Sequence, residues 1–595
     1  MESLGQYLRP DGMLWDPLLD APSPSDHYAQ TSMALALRLH GHPQQSRAAR
    51  DAWLALMPSQ LGHLPFNRLM LLLLADLVPH TGSHWDNVRW GRGGSRTAPT
   101  ACSQDGSHDP STSEPDRHAI DQGLQRCVLS RHYPSNNWTL LAQLCRLIAA
   151  VSSDTSSRKG QTPAKTFCQL LDRWLTADSA FIDYPARPRS TGTTPIAYHH
   201  KALFLTTTAV WFCNDSALRS RLEALLNQAV RFWDGGGYAG GLGRSNHALF
   251  GDGCLLASLV LLGAAENGAG ELSAMCAGII QRLETQRRAD GLYWLNPAGA
   301  AGQASWDNYM VLSVYNAWFA AVVSWALHIR QTRPVPEGLS SIQPVQPSIQ
   351  GAGLIRLNTA KLTALITTHG QPPQAFSRNE VELRYAGGIP VHVALAGRVV
   401  IPPPVRISLA ALLRQPALAG WTPLFKQRER VYGLTDFDSV TVRESEQMIE
   451  MELTGRPRSV TRAPIEQLPQ RLMAALDWRL LGGAWGRREA LRREVLDGIF
   501  ARIILTLSLQ PPTLTYYLVL DNTNDQPVNY LNPAGHALVP DAWPCQQKVK
   551  GGQGELLMQP MPSSIAGAMG YCLPTVALPS GCSEYRIDVI WNPPL

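Results

Sequence analysis

Apolar residues recur at helical spacing through the first 330 residues of the chain. Segments 27–41, 136–151 and 308–330 place them three or four positions apart, which is the period of a helix with an apolar face. About ten such segments follow one another, with glycine-rich and aromatic loops between alternate pairs. Paired helices with long loops on one side predict an α/α toroid. We find no fixed repeat period that would favour a solenoid instead.

The period of the apolar positions changes beyond the helical part. Segments 440–455 and 500–510 alternate apolar and polar residues, as strands with one buried face do. The stretch 332–351 is rich in Pro, Ser and Gln and is typical of a linker. We therefore predict a multidomain chain, α then β, with an incomplete (α/α) toroid over 1–331 and an antiparallel β-sandwich over 352–595.

One long segment, 80–121, lacks any apolar period. It is rich in Gly, Ser, Thr, Pro and Asp, so we expect a polar loop inserted into the toroid. Helical spacing resumes at residue 136.

The chain carries a formal net charge of +5 over its whole length. So mild a charge argues against a polybasic nucleic-acid binder and suits an anionic substrate. The 17 tryptophans are expected to be mostly core residues, although Trp also stacks on sugar rings.

The start of the chain, MESLGQYLRPDGMLWD, lacks a basic region followed by an apolar run, so we expect no secretory signal. The apolar segment 69–78 is too short to span a bilayer, and we expect no membrane insertion.

The ten cysteines form no CxxC pair and are expected to be reduced thiols, most of them buried. The expected location is cytoplasmic, with a secreted or periplasmic one left open. The oligomeric state is unknown at this stage.

Two clusters of polar residues open apolar helical segments. The first is Asn136, Asn137 and Trp138, where Asn136 is a suitable N-cap and an amide could instead bind a substrate carboxylate. The second is the run Tyr198, His199, His200 and Lys201. Tyr and His are common proton-transfer groups, but consecutive residues step by about 100° around a helix, so part of this run must face away from any one cleft.

Two further clusters lie in the loops that follow. Arg244, Asn246, His247 and Asp252 form the third cluster, in which Arg offers a planar fork suited to carboxylates. In the fourth cluster, two aromatic residues at its start could shape a sugar subsite, the Asp is a possible helix cap, and the second Tyr is a possible core residue. This cluster comprises Trp306, Asp307, Asn308, Tyr309, Tyr315 and Asn316.

The motifs of zinc proteases, P-loop proteins and serine hydrolases are absent from the sequence. The glycine-rich run 235–243 lacks the preceding strand that a dinucleotide-binding fingerprint requires. His199, His200 and His247 are possible metal ligands, but no clear carboxylate partner stands at ligand spacing. We therefore expect neither a metal nor another cofactor.

The order of helical toroid, Pro-rich linker and β-sandwich resembles the polysaccharide lyases of the heparinase II/III, alginate-lyase and chondroitin/hyaluronate-lyase type. The motifs NNW (136–138), FIDYP (181–185) with TPIAYHHK (194–201), and GRSN (243–246) are similar to segments that carry Asn, His, Tyr and Arg in such enzymes. Tyr198 and His199 are adjacent, whereas His and Tyr stand further apart in the better-known members.

This resemblance implies metal-independent β-elimination on a uronic-acid-containing polysaccharide, which leaves a 4,5-unsaturated uronate. The catalytic residues it implies are Tyr198, His199, His200, Arg244 and Asn137. The partner it implies is an anionic polysaccharide or oligosaccharide, with no nucleic acid. The substrate-binding residues are expected to be Asn136, Trp138, Lys201, Asn246, His247, Trp306, Asn308 and Tyr309.

Two other functions fit the same fold class. A glycoside hydrolase would need two cleft carboxylates roughly 5–9.5 Å apart, for which Asp183, Asp252 and Asp307 are available. A non-catalytic glycan-binding protein would show aromatic residues without a converging set of His, Tyr and Arg. The run of Tyr, His and Lys favours an enzyme.

Overall fold

The predicted division into a helical first part and a β-rich second part is confirmed. The expected linker region begins at Thr332, where the last toroid helix ends. It ends at the first strand of the β part, Gln350–Gly351. The computed structural model describes residues 2–78, 113–130, 133, 135–153, 157–183, 195–264, 270–339, 342, 350–359, 361–371, 379–461, 469, 472–473, 476–477 and 493–592.

In the described part of the chain, six helices form the inner layer of the toroid, and each packs against the next around the ring. The last packs against the first, so the inner layer is closed, which corrects the prediction of an incomplete toroid. These helices are α2 (Ala29–Leu39), α4 (Leu64–Ala75), α6 (Asn136–Ser153), α8 (Ile196–Phe212), α10 (Leu249–Leu261) and α12 (Leu312–Thr332).

The described outer layer has five long helices, each packed on the inner helix that precedes it. A short helix, α1, precedes the ring. These helices are α1 (Glu2–Gly5), α3 (Pro43–Ala55), α5 (Ser113–Arg126), α7 (Ser157–Trp174), α9 (Ser216–Arg231) and α11 (Glu271–Thr285). Short 3-10 turns lie at Pro58–Gln60, Gly299–Ser305 and Pro416–Ala419.

The inner helices are apolar on most sides because other elements cover most of their surface. All of α10 is buried, including its one charged residue, Asp252. The helix α12 is long and apolar enough to cross a membrane, but 67% of its most apolar window is buried inside the protein. Such burial is what a core helix of a closed ring requires.

The prediction of a loop over 80–121 is wrong for its last part, because α5 includes residues 113–121. This helix is polar on its outer side and buries Ile120 against the toroid. Its Asp116 forms ion pairs with Arg47 and Arg50 of α3. These partners are distant in the sequence, so the periodicity of 80–121 does not reveal the helix. Residues 80–112 lie outside the described residues.

One small turn recurs four times among the described residues of the toroid, although no repeat is evident in the sequence. In each case an isolated β-bridge joins two residues six positions apart, just after an outer helix or after α1. Three of the turns hold a residue with positive φ at the same position, a conformation that favours glycine. The bridges are Leu8 with Leu14, Leu175 with Phe181, Trp233 with Ala239, and Arg287 with Tyr293.

The strands of the second part pair in antiparallel fashion, as predicted; their packing as a sandwich stays a prediction. A six-stranded sheet has the order β12 (Ser439–Ser445), β13 (Met448–Gly455), β15 (Ile499–Leu509), β16 (Pro512–Asn522), β23 (Gly581–Trp591) and β19 (Cys545–Lys550). A five-stranded sheet has the order β3 (Gln350–Gly351), β4 (Leu354–Asn358), β5 (Leu362–Thr367), β7 (Pro390–Leu395) and β8 (Arg398–Ile401).

The other sheets are smaller or have shorter strands. One has the order β14 (Arg458–Ser459), β11 (Arg430–Gly433), β10 (Leu424–Gln427), β17 (Asn529–Tyr530) and β22 (Val576–Ala577). Another has the order β18 (His536–Leu538), β21 (Met569–Cys572) and β20 (Leu557–Pro560). The two pairs are β1 (Trp15–Asp16) with β2 (Ala21–Pro22), and β6 (Glu380–Glu382) with β9 (Arg406–Ser408), which leads into the helix α13 (Leu409–Arg414).

Two of the recurring toroid turns form hydrogen bonds with the five-stranded sheet that begins at β3. The carboxylate of Asp178 accepts a hydrogen bond from the main-chain N–H of Ala352 at 2.8 Å. The main-chain oxygen of Asp234 accepts one from the hydroxyl of Thr363 at 2.7 Å. The segment around residue 384 of the β part contacts the loops that precede α10 and α12.

Candidate functional site

The N-terminal ends of the inner helices meet at one end of the ring, which we call the N-terminal rim. The ring of His63, before α4, lies 4.8 Å from Trp138 at the start of α6. The Tyr198 hydroxyl, in α8, lies 3.4 Å from that of Tyr309, before α12. Helix N-termini carry partial positive charge and unpaired N–H groups, so this rim favours anions. It comprises residues 27–28, 63–66, 135–138, 195–201, 244–249 and 307–312.

Asp183 is the centre of a hydrogen-bond network at the rim. Its Oδ1 accepts from the Ser135 hydroxyl at 2.9 Å, from the Asn137 main-chain N–H at 3.1 Å and from the Asn137 side-chain amide. Its Oδ2 accepts from Nη2 of Arg244 at 2.8 Å. The carboxylate therefore caps α6 and holds Arg244 in place. From the sequence, Asp183 was considered only as a hydrolase carboxylate.

Arg244 lies between this carboxylate and a phenol. Its guanidinium carbon is 4.9 Å from the centre of the Tyr198 ring, and 24% of its side chain is exposed. Burial lowers the pKa of Arg244, but the neighbouring tyrosines and Asp183 outweigh this and raise it above the usual value. Arg244 therefore stays cationic and can bind a carboxylate at the surface of the rim.

The loop that carries Arg244 holds two residues in the left-handed region. Ser245 has φ 55° and His247 has φ 50°, and such backbone strain in non-glycine residues persists where the surroundings enforce it. The Ser245 hydroxyl lies 2.6 Å from the Tyr309 hydroxyl, and the Ser245 N–H donates to Asp307 at 3.2 Å. This loop is thereby tied to the one before α12.

Two residues of the β part complete the network, and the sequence analysis missed both. Nη1 of Arg384 donates to Asp307 at 3.0 Å, and the same guanidinium also binds Glu382. The Tyr385 hydroxyl accepts from the main-chain N–H of Arg244 at 3.3 Å. These contacts bridge the two parts of the chain, and no local pattern in the sequence signals them.

His199 is placed where it cannot serve the proton transfer expected of it without a rearrangement. The residue is fully buried, its Nδ1 accepts from the Phe181 N–H at 3.1 Å, and its Nε2 lies 2.9 Å from the Leu225 carbonyl. Burial lowers the pKa of His199 to about 4. Both ring nitrogens therefore hold main-chain groups together, which is a structural role.

His200 and His247 line a cavity of about 10 Å³, the size of one water molecule, together with Asn246 and Asp252. Nε2 of each histidine is buried without a hydrogen-bond partner among the described residues. Burial lowers the pKa of His200 to about 3, so the ring is neutral. The side chains of both histidines are buried beneath the surface of the rim, and Asp252 is ion-paired with Arg282.

Lys201 is fully buried, which corrects the expectation that it contacts substrate directly. Its Nζ donates to Oδ1 of Asn137 at 2.6 Å and lies 3.8 Å from the centre of the Phe66 ring. Burial lowers the pKa of Lys201 to about 7.

The remaining predicted residues lie around the rim with different exposure. Asn136 donates from its side chain to the Ile182 carbonyl at 2.7 Å, so it holds the segment before Asp183. Trp138 is half-buried against His63 and Tyr133, and Trp306 lies beside Trp294. Asn308 is exposed. Tyr309 is tied to the network described above.

One group in the described part of the chain could hold a metal ion. Asp26, His27 and His63 each offer one ligand atom, and these atoms lie within 4.8 Å of one another. The two imidazoles stack at 4.3 Å, and His63 Nδ1 lies 2.7 Å from the Asp26 carbonyl oxygen. The histidines considered from the sequence, His199, His200 and His247, are not part of this group.

Comparison with known proteins gives distant structural similarity alone. No family model and no curated protein matches the sequence. The chain is similar to heparan sulfate lyase HepC from Pedobacter heparinus, with 8% identity, a TM-score of 0.44, and coverage of 95% of this chain and 75% of that one.

A chondroitin AC lyase variant from Streptomyces coelicolor has 10% identity, a TM-score of 0.41, and coverage of 99% of this chain and 78% of that one. An α-1,6-mannanase from a Salegentibacter species has 9% identity and a TM-score of 0.35, with 55% of this chain and 98% of that one covered. TM-scores below 0.5 are too low to transfer a function from these proteins to this chain.

Proposed function

We propose that this protein is a polysaccharide lyase that cleaves a uronic-acid-containing glycan by β-elimination at the N-terminal rim. The observation that carries the proposal is the position of Arg244, a partly exposed cation 4.9 Å from the ring of the partly exposed Tyr198. A carboxylate-binding group and a proton-transfer group thus stand side by side.

The chemistry of elimination requires both groups. The hydrogen at C5 of a uronate becomes acidic enough to abstract once its C6 carboxylate is neutralised, which is the role we assign to Arg244. Tyr198, acting as a phenolate, takes the C5 proton. The electrons of the C5–H bond then form the C4–C5 double bond as the C4–O4 bond breaks. The departing O4 takes a proton, so that the products are a new chain end and a 4,5-unsaturated uronate. Tyr198 can supply that proton if the C5 hydrogen and O4 lie on one side of the sugar.

The electrostatics of the rim support an anionic substrate. Six helix N-termini converge there, and each contributes partial positive charge in addition to that of Arg244. Trp138 is half-buried beside Asn137 and offers an apolar face for a sugar ring. No metal or other cofactor takes part in the proposed reaction.

The carboxylates considered for a hydrolase are engaged elsewhere. Asp183 is fully buried and paired with Arg244, Asp252 is paired with Arg282, and Asp307 is paired with Arg384. A glycosidase needs one carboxyl that can donate a proton and a second that is free to act as base or nucleophile. The ion pairs therefore favour elimination over hydrolysis for this set of residues.

The test is absorbance near 235 nm during incubation with a panel of uronate polysaccharides, because an unsaturated uronate absorbs there. We expect a rise with the wild type that is lost in Tyr198→Phe and retained in Tyr517→Phe, a matched change on a strand of the six-stranded sheet. New reducing ends without absorbance would refute elimination and favour a hydrolase. Binding without either product would favour a glycan-binding protein.

A further inference from the structure

Lys201 is a buried lysine that is protonated below its pKa of about 7, and its direct partners are not carboxylates. Its Nζ contacts the Asn137 side-chain oxygen and faces the rings of Phe66 and Phe250 at 3.8 and 6.0 Å. None of the ion pairs in the described part of the chain includes Lys201. Burying an ammonium group without a counter-charge is costly, and an apolar residue would fit this helix at lower cost. The position therefore calls for a specific role.

The hydrogen bond from Lys201 determines which way the Asn137 amide points. An ammonium group can only donate, so it must meet the oxygen of the amide and not its NH₂ group. Nδ2 of Asn137 is thereby directed at Asp183 and at the Ser135 hydroxyl, 2.5 Å away. If the amide were flipped, its NH₂ group would face the ammonium and its oxygen would face the carboxylate, and both contacts would be repulsive.

The Asn137 amide is one link in a series of polar contacts that ends at the proposed reaction centre. Lys201 contacts Asn137, Asn137 contacts Asp183, and Asp183 holds Arg244 beside Tyr198. Each of these links is a hydrogen bond or ion pair between different segments of the toroid. A change at Lys201 is therefore expected to reach Arg244 through two intermediate side chains.

We propose that Lys201 is a positioning residue. Its ammonium group fixes the orientation of the Asn137 amide and, through Asp183, the place of Arg244. Lys201 itself has no exposed atom with which to bind the glycan. The reaction for which Lys201 positions Arg244 is the elimination proposed above, so this part of the inference rests on the proposed function.

The test is a double-mutant cycle of wild type, Lys201→Met, Asn137→Ala and the double variant, with kcat and KM measured at pH 6 from absorbance near 235 nm. We expect Lys201→Met to lower kcat by about tenfold or more and to change KM by less than about threefold. The double variant should be no more than about twofold slower than Asn137→Ala, because Lys201 acts through that amide. Lys361→Met, on the surface, is the matched control and should keep wild-type kcat.

If the decrease in kcat of the double variant equals the product of the two single decreases, the proposal is overturned, since Lys201 then acts independently of Asn137. A rise in KM at unchanged kcat would also overturn it, because it would indicate direct substrate contact. If the wild type itself gives no elimination product, the proposed function fails. The same four proteins are then compared by urea unfolding, where non-additive effects support the orientation of Asn137 by Lys201 and additive effects refute it.

Discussion

Nη2 of Arg244 lies 2.8 Å from Oδ2 of Asp183, although the two residues are 61 positions apart in the sequence. The other oxygen of the same carboxylate caps α6 through the N–H of Asn137. A single buried acid thus connects the segment before α8, the start of α6 and the loop before α10. Because the proposed carboxylate-binding group depends on this acid, the position of Arg244 is a property of the assembled toroid.

Removing the charge of Asp183 is expected to destabilise the fold as well as the site. In Asp183→Asn, Arg244 would lose its counter-ion and α6 its carboxylate cap, at a cost of about 3 kcal/mol in the free energy of unfolding. Urea unfolding measures this change. Asp172→Asn removes a carboxylate from an exposed ion pair with Arg221 and should cost less than about 1 kcal/mol. Equal costs for both variants would contradict the role of Asp183.

Arg384 belongs to the β part, yet its loss should impair the reaction. Its ion pair with Asp307 helps to hold the loops that carry Tyr309 and Arg244, so we expect Arg384→Met to lower kcat by about tenfold or more. The measurement is the rate of absorbance increase near 235 nm. Arg406→Met, which removes an exposed pair with Glu380 of a neighbouring strand, is the matched control and should keep wild-type activity. Unchanged activity in Arg384→Met would show that the toroid alone organises the site.

Buried His200 should make the protein sensitive to acid. Burial lowers its pKa to about 3, whereas an unfolded histidine has a pKa of about 6.5. Between these pH values the unfolded state binds more protons, so the free energy of unfolding decreases as pH falls below about 6.5, by up to about 1.4 kcal/mol per pH unit. Urea unfolding from pH 7 to pH 5 should show a shallower decrease in His200→Gln than in the wild type. Parallel curves for the two proteins would contradict this assignment.

Buried Lys201 should affect how the free energy of unfolding depends on pH above pH 7. Burial lowers its pKa to about 7, against about 10.4 in an unfolded chain. From about pH 7 to pH 10 the unfolded state holds the extra proton, so this residue makes the free energy of unfolding increase with pH. Lys201→Met should lose that increase, and Lys361→Met should keep it. The three proteins are compared by urea unfolding at pH 7 and pH 9.5, which needs no substrate. Equal pH dependence in all three would contradict the conclusion that burial lowers the pKa of Lys201.

The sequence by itself determined the division of the chain and the residue types at the site. Helical periodicity and strand alternation depend on neighbours a few positions apart, so they predicted most of the toroid helices and the antiparallel strands correctly. Polar residues at the starts of apolar helices stood out for the same reason. Asn137, Tyr198 and Arg244, chosen in this way, lie in one network in the structure.

Tertiary structure alone decided how these residues are used. The closure of the inner ring, the polar helix α5 and the contributions of Asp183 and Arg384 depend on contacts between segments far apart in the sequence. The packing of α8 also decided that His199 and Lys201 are buried while their neighbour Tyr198 is partly exposed. Ion pairs and burial of this kind leave no periodic signal along a chain, because they arise from the spatial arrangement of several elements at once.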